Sequence, residues 1–132
     1  MSWKRSLQAS ALALLLTACG WHGPAPIQAL GELDPGEQVL VADKATWDAV
    51  AVRYLRSYKK DGEPMEVSME LVNRSEHPLK IKAMARFLDG SGDTDGTEIW
   101  QRMEIKPGAS AVFSSTSVST KVIRYKVYIE AQ

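Results

Sequence analysis

The chain has 132 residues, enough for one domain with little left over. Sixteen Lys and Arg balance sixteen Asp and Glu, which excludes the basic excess of a nucleic-acid binder, and 45% hydrophobic with 24% charged residues describes a chain that folds. One Cys rules out an intrachain disulfide, and with two His, His22 and His77, it falls short of the four N/S ligands of a structural zinc site.

The first element is a charged-then-apolar leader. Lys4 and Arg5 precede the run Ala11-Leu12-Ala13-Leu14-Leu15-Leu16, the layout of a secretory signal peptide. The uncharged stretch from Ser6 to Ala18 is shorter than the ~20 apolar residues of a spanning helix. It ends Leu16-Thr17-Ala18-Cys19-Gly20, a branched apolar residue and two small ones before a Cys, which resembles a bacterial lipobox. The resemblance implies cleavage between Ala18 and Cys19, a diacylglyceryl group on the Cys19 sulfur, and acylation, by palmitate for example, of the new amino terminus. Two or more acyl chains, at about 0.8 kcal/mol per buried methylene, hold a protein on a membrane surface without spanning it. In such lipoproteins an Asp after the Cys favours the inner membrane, so Gly20 points to the outer membrane and its periplasmic face. Loss of residues 1–18 removes Lys4 and Arg5 and leaves 14 basic against 16 acidic side chains, a formal net charge of −2.

Residues 19–37 follow, with three Pro and four Gly between Gly20 and Glu37. That composition blocks regular structure and predicts a flexible tether spanning roughly 20–25 Å. Trp21 lies beside the lipid, where the indole ring suits the membrane interface.

From Val39 the pattern changes. Asp43 to Val50 is the one helix candidate. Met65, Val67, Met69 and Leu71 alternate with polar residues, as do Leu79, Ile81, Ala83, Ala85 and Phe87, and then Ile123, Tyr125, Val127 and Ile129. Period-two alternation predicts half-buried strands with these residues inward. Asp61-Gly62 is a favoured two-residue hairpin turn. It would place Tyr58 opposite Met65, Tyr54 opposite Met69 and Val52 opposite Leu71. Arg56 opposite Val67 breaks that set, as a rim residue or a bulge would. The turn Asn73–Pro78 predicts a second hairpin in one of two registers, and the one with Glu70 opposite Lys82 and Glu66 opposite Arg86 makes more opposite-charge pairs than the one with only Glu70 opposite Lys80. Lys106-Pro107-Gly108-Ala109 is a third turn, between Ile99–Ile105 and Ser110–Phe113. Six or seven strands in about 95 residues predict an all-β, immunoglobulin-like antiparallel β-sandwich over residues 38–132.

Signals for chemistry are sparse. The loop Asp89-Gly90-Ser91-Gly92-Asp93-Thr94-Asp95-Gly96 is rich in oxygen ligands and offers a small-ligand or ion-binding alternative. It fails the EF-hand register, since Gly96 at position six puts Arg102 where the last position needs Glu. The cluster Ser114-Ser115-Thr116-Ser117 has no His near it in sequence to act as base. No enzyme, metal or cofactor is expected. On the last strand Arg124, Lys126 and Tyr128 fall on the outward register and form a candidate contact patch.

Asn73-Arg74-Ser75, Pro78-Leu79-Lys80-Ile81 and Ala85-Arg86-Phe87-Leu88-Asp89, followed by a Gly-containing loop, then Trp100, Pro107-Gly108, Phe113 and Arg124-Tyr125-Lys126-Val127-Tyr128-Ile129 are similar to the core of the YcfL-like lipoproteins. The resemblance covers Val39 to Ile129. Leu88 departs from it, standing where an aromatic residue precedes the Asp. The resemblance implies an immunoglobulin-like sandwich facing the periplasm and carries over no catalytic residue. The chain therefore reads as a lipid-anchored envelope lipoprotein, non-enzymatic, whose sandwich meets an envelope protein partner of unstated identity and no nucleic acid.

Overall fold

A computed structural model describes residues 20–31, 38–96 and 98–132. The leader 1–18 and Cys19 lie outside the described residues. Two very short strands, β1 (Ala25–Pro26) and β2 (Gln28–Ala29), come first. Then follow β3 (Val39–Val41), helix α1 (Lys44–Ala49), β4 (Val50–Tyr58), β5 (Glu66–Asn73), β6 (Leu79–Asp89), β7 (Gln101–Ile105), β8 (Ser110–Thr116) and β9 (Val122–Ala131). The helix forms where the sequence places it. Asp43 is its N-cap and accepts a hydrogen bond from the Thr46 amide at 3.0 Å, satisfying one of the amides a helix start leaves unpaired.

The strands make two sheets, one ordered β1-β3-β9-β6-β7 and the other β2-β4-β5-β8. Their inner faces hold the core. Phe87, Ile81, Val127 and Ile129 from the first meet Phe113, Met69, Leu71 and Val67 from the second. Each such side chain contributes about 1.5–3 kcal/mol on burial, and this layer takes the place of an inter-sheet disulfide. The result is an all-β sandwich. It is not purely antiparallel: β3 runs parallel to β9 and β2 parallel to β4, because the N-terminal strands fill slots beside strands already running their way.

Four expectations need correction. The first is the β4–β5 register. Val52 does face Leu71, but the register shifts between Val52 and Tyr54, so Tyr54 faces Glu70, Leu55 faces Met69 and Tyr58 faces Glu66. Arg53 is the extra residue of a bulge. It turns Leu55 inward and sends Tyr54 and Tyr58 out to solvent at 44% and 53% exposure. Asp61-Gly62 makes a four-residue turn closed by Glu63 N–H donating to Lys60 C=O at 3.0 Å. Gly62 supplies the positive φ of 79° that this turn requires.

The second is the pairing of β5 with β6. The two lie in different sheets. The segment after Asn73 carries the chain from one layer to the other, so neither Glu70–Lys82 nor Glu66–Arg86 exists as a cross-strand pair. Asn73 is fully buried and explains the crossing. Its Nδ2 donates to His77 C=O at 2.7 Å and Ile105 C=O at 2.9 Å, and its Oδ1 accepts from the Ser75 amide and hydroxyl. Its backbone bonds Gly108 and Ala109 in the other crossing, at the Pro107-Gly108 turn. One buried amide thus pins both crossings together.

The third is Ile123. A second bulge, between Leu88 and Asp89 on the partner side, leaves Ile123 62% exposed and turns Val122 inward. The fourth is the tether. Residues 20–31 lie on the sandwich. β1 pairs with β3, β2 pairs with β4, and Ile27 between them is 4% exposed. Ile27 and its neighbours bury enough apolar surface to overcome the local Pro and Gly penalty. The Trp21 ring packs 5.8 Å from that of Trp47 on α1 and donates to Ala42 C=O at 3.1 Å.

Candidate functional site

Along β9, Val122, Tyr125, Val127 and Ile129 are buried, while Arg124 and Lys126 are exposed and Tyr128 is half-buried on the opposite face. The predicted patch therefore exists as three side chains on one surface, the outer face of the five-stranded sheet. Four residues of strand separate Arg124 from Tyr128 by about 13 Å. Their cross-strand neighbours on β6 are Leu88 for Arg124, Arg86 for Lys126 and Met84 for Tyr128.

Residues outside the predicted patch organise it. The Arg86 guanidinium lies 5.0 Å from the centre of the Tyr128 ring, and its Nη1 donates to the Tyr128 hydroxyl at 3.5 Å. Its Nε donates to Glu98. The Glu98 carboxylate beside it raises the guanidinium pKa above its ordinary value, so Arg86 is a permanent cation. Four residues away on β6, Lys82 Nζ stands 4.9 Å from the centre of the Trp100 ring and 3.0 Å from Glu130 Oε1. Each ring thus carries a cation, and each cation has one acid. A cation over a ring at an exposed site contributes about 0.5–1 kcal/mol, enough to hold the planes in place. Between Arg86 and Lys82 along β6, and opposite Tyr128, Met84 is only 4% exposed, an apolar side chain on the outer side of the sheet. The outward alternation of Lys80, Lys82, Met84 and Arg86 was visible in the sequence, but that β6 lies next to β9 was not.

The other sequence-derived sites are placed as follows. Leu16, Thr17, Ala18 and Cys19 lie outside the described residues. In the acidic loop, Asp89 Oδ1 accepts from the Ser91 amide at 2.9 Å, the Ser91 hydroxyl at 2.7 Å and the Asp93 amide at 3.1 Å. These bonds, the Ser91 hydroxyl first, hold its carboxyl below the usual aspartate range. Asp95 Oδ2 accepts from the Val118 amide at 2.8 Å and ties the loop to the start of the β8–β9 connection. Asp89 thus serves the loop's own turn, and Asp95 joins the loop to the neighbouring connection. Among the described residues no three His, Cys, Asp or Glu gather in a metal-holding group. In the serine cluster Ser117 is buried, with its Oγ donating to Ser119 C=O and accepting from the Met65 amide, which is a turn-fixing arrangement. A shallow groove on the outer face of the four-stranded sheet runs past Tyr54, Ser68, Glu70 and Val112.

No family model matches the sequence, and no curated protein matches it. Solved structures are similar in fold. A DUF1425 family member from Shewanella sp. pv-4 superposes with a TM-score of 0.54 at 13% identity, over 63% of this chain and 78% of that one. Campylobacter jejuni cj0090 does so with a TM-score of 0.56 at 16% identity, over 74% of this chain and all of that one. The class is thus a small two-sheet β-sandwich, of the kind these two proteins share.

Proposed function

We propose that the chain is a lipid-anchored lipoprotein of the bacterial envelope, YcfL-like, held by Cys19 on the periplasmic face of the outer membrane. Its sandwich acts as a non-enzymatic interaction module, and the face of Arg124, Lys126 and Tyr128 meets an envelope protein. The observation that carries the reading is the pair of cation-bearing rings on one sheet face, Arg86 on Tyr128 and Lys82 on Trp100, with apolar Met84 between the two cations along β6. Rigid aromatic planes with fixed charges are the groups enriched where proteins bind proteins. The leader ending in Leu16-Thr17-Ala18-Cys19 supports the anchor, and the fold shared with the DUF1425 family member agrees with a binding module.

Two measurements test it. Cys19→Ser should leave an uncut precursor that no longer takes up labelled palmitate. In cells, a photocrosslinking residue at Lys126 should capture a discrete protein partner, whereas the same residue at Val112 on the opposite sheet should not. Palmitate uptake by the Cys19→Ser chain would end the anchor reading. Equal capture from both positions would end the assignment of the face.

A further inference from the structure

The segment between the lipid site and the first strand is fastened to the sandwich, and this has a consequence for how the domain sits. Trp21 is two residues from Cys19, a distance of at most ~7 Å of chain. Its indole nitrogen is bonded to Ala42 C=O at 3.1 Å and its ring lies against Trp47. Trp47 is fixed in turn, its indole N–H donating to Pro26 C=O at 2.7 Å. Gly23 makes the fold-back possible, because a Cβ there would overlap the Trp21 indole nitrogen.

This corner belongs to one pole of the sandwich. Ala131 N–H reaches the Asp43 side chain at 3.3 Å, Arg74 N–H bonds Ala49 C=O, and Gln132 N–H bonds Lys80 C=O. The α1 helix, the Arg74–Pro78 crossing, the Lys106–Ala109 turn and the C-terminus therefore share it. The Asp61-Gly62 turn and the acidic loop lie at the other pole. Strand β6, with 11 residues, runs between them and spans roughly 35 Å.

We infer that the Trp21–Trp47 corner is a membrane seat: it docks the α1 pole into the headgroup layer of the bilayer and stands the sandwich upright with its acidic loop away from the lipid. This rests on the lipid at Cys19 proposed above. Two observations favour a bilayer as the occupant. Trp21 stands two residues from Cys19 in the sequence. Two tryptophans, the side chains that settle at headgroup level, are clasped there. The seat then holds the contact face of β6 and β9 at a set height, looking sideways along the membrane.

The test uses the full lipidated chain, purified from membranes and placed in phospholipid vesicles whose acyl chains carry bromine near the headgroups. Trp100→Phe leaves Trp21 and Trp47 as the emitters of the processed chain. Its emission should fall by roughly half, as expected of indoles at headgroup depth. A fluorophore on Thr120→Cys, the one free thiol once Cys19 carries lipid, should keep its emission. Trp21 lies within ~7 Å of the lipid with or without the clasp, so Trp47 is the reporter: as the one emitter left by Trp21→Phe with Trp100→Phe, it should still be quenched. Circular dichroism of each variant checks that the sandwich remains. An unquenched Trp47 on a chain that takes up palmitate and floats with vesicles would overturn the seat and spare the anchor. Equal quenching of Trp47 and Thr120→Cys label would mean a domain lying flat, and would also overturn it. A chain without palmitate would remove both.

Discussion

Two connections flank β5, and they do opposite things. The one before it, through Asp61-Gly62, returns the chain to the same sheet, so that β4 and β5 pair along their length. The one after it, through Arg74 to Pro78, sends the chain across to the other sheet. Both are short, polar and rich in turn residues, and both join strands of matching period. The difference lies in what is buried at the joint. The first connection is exposed around Asp61-Gly62, and where it reaches Met65 its backbone bonds Ser117, just past β8 of the same sheet. The second begins at Asn73, whose side chain is enclosed and bonds across the sandwich to Ile105 C=O. A buried amide that must satisfy four bonding positions chooses between hairpin and crossing where turn residues alone do not.

The largest expected effect comes from the strand the two connections share. Met69 is fully buried, facing Leu55 on β4 and Phe113 on β8. Met69→Ala should cost about 2–5 kcal/mol in a denaturant melt, as large-to-small core changes do. A wild-type midpoint would mean that β5 does not present this face to the core.

Much of this architecture is legible in the sequence. The inward sets of β5 and β6 follow from alternation, α1 from Asp43 and the residues after it, and the Pro107-Gly108 turn from its residue types. Three things are not legible, each for a physical reason. A bulge costs one residue and leaves no mark on composition: the misfit of Arg56 signals one in β4 without placing it at Arg53, and nothing marks the one at Ile123. Neighbour relations between strands depend on long-range packing, so the adjacency of β6 and β9 that assembles Arg86 with Tyr128 could not be read from either strand. Pro and Gly in residues 20–31 argue locally for a coil, while the burial of Ile27 and the clasp of Trp21 on Trp47 depend on surfaces supplied from a dozen or more residues away.

The joint itself gives an intermediate effect. Asn73→Ala removes the donor to Ile105 C=O and to His77 C=O and the acceptor for Ser75. Ile105 is buried, so its carbonyl loses a partner without gaining water. The expected cost is about 1–3 kcal/mol, the penalty for leaving a buried polar group unpaired, read from the same melts. Amide hydrogen exchange should quicken at Gly108 and Ala109, because their bonds to the Asn73 backbone loosen with it. A loss confined to residues 74–78 would show that the amide serves its own turn and does not join the crossings.

The smallest effect discriminates best between the two connections. Were the second connection a hairpin, Glu70 would face Lys82. As a crossing, it leaves Glu70 with Arg53 at the β4 bulge, on a partly exposed surface, while Lys82 pairs with Glu130 on another sheet. A double-mutant cycle separates these. Glu70→Ala with Arg53→Ala should show coupling, and Glu70→Ala with Lys82→Ala should show none. Arg53 first, and then the Ser110 hydroxyl, hold the Glu70 carboxyl below the usual glutamate range. A carboxyl with a depressed folded-state pKa contributes stability above its unfolded pKa and loses that contribution as pH falls through the folded value. The Glu70–Arg53 coupling should therefore be full at neutral pH and fade only below the ordinary carboxylate range. It should also weaken with salt, since an exposed pair is screened. Coupling to Lys82 instead would restore β5 and β6 to one sheet, and Arg86 would then face Glu66 across a hairpin, leaving Tyr128 without the cation that organises its face.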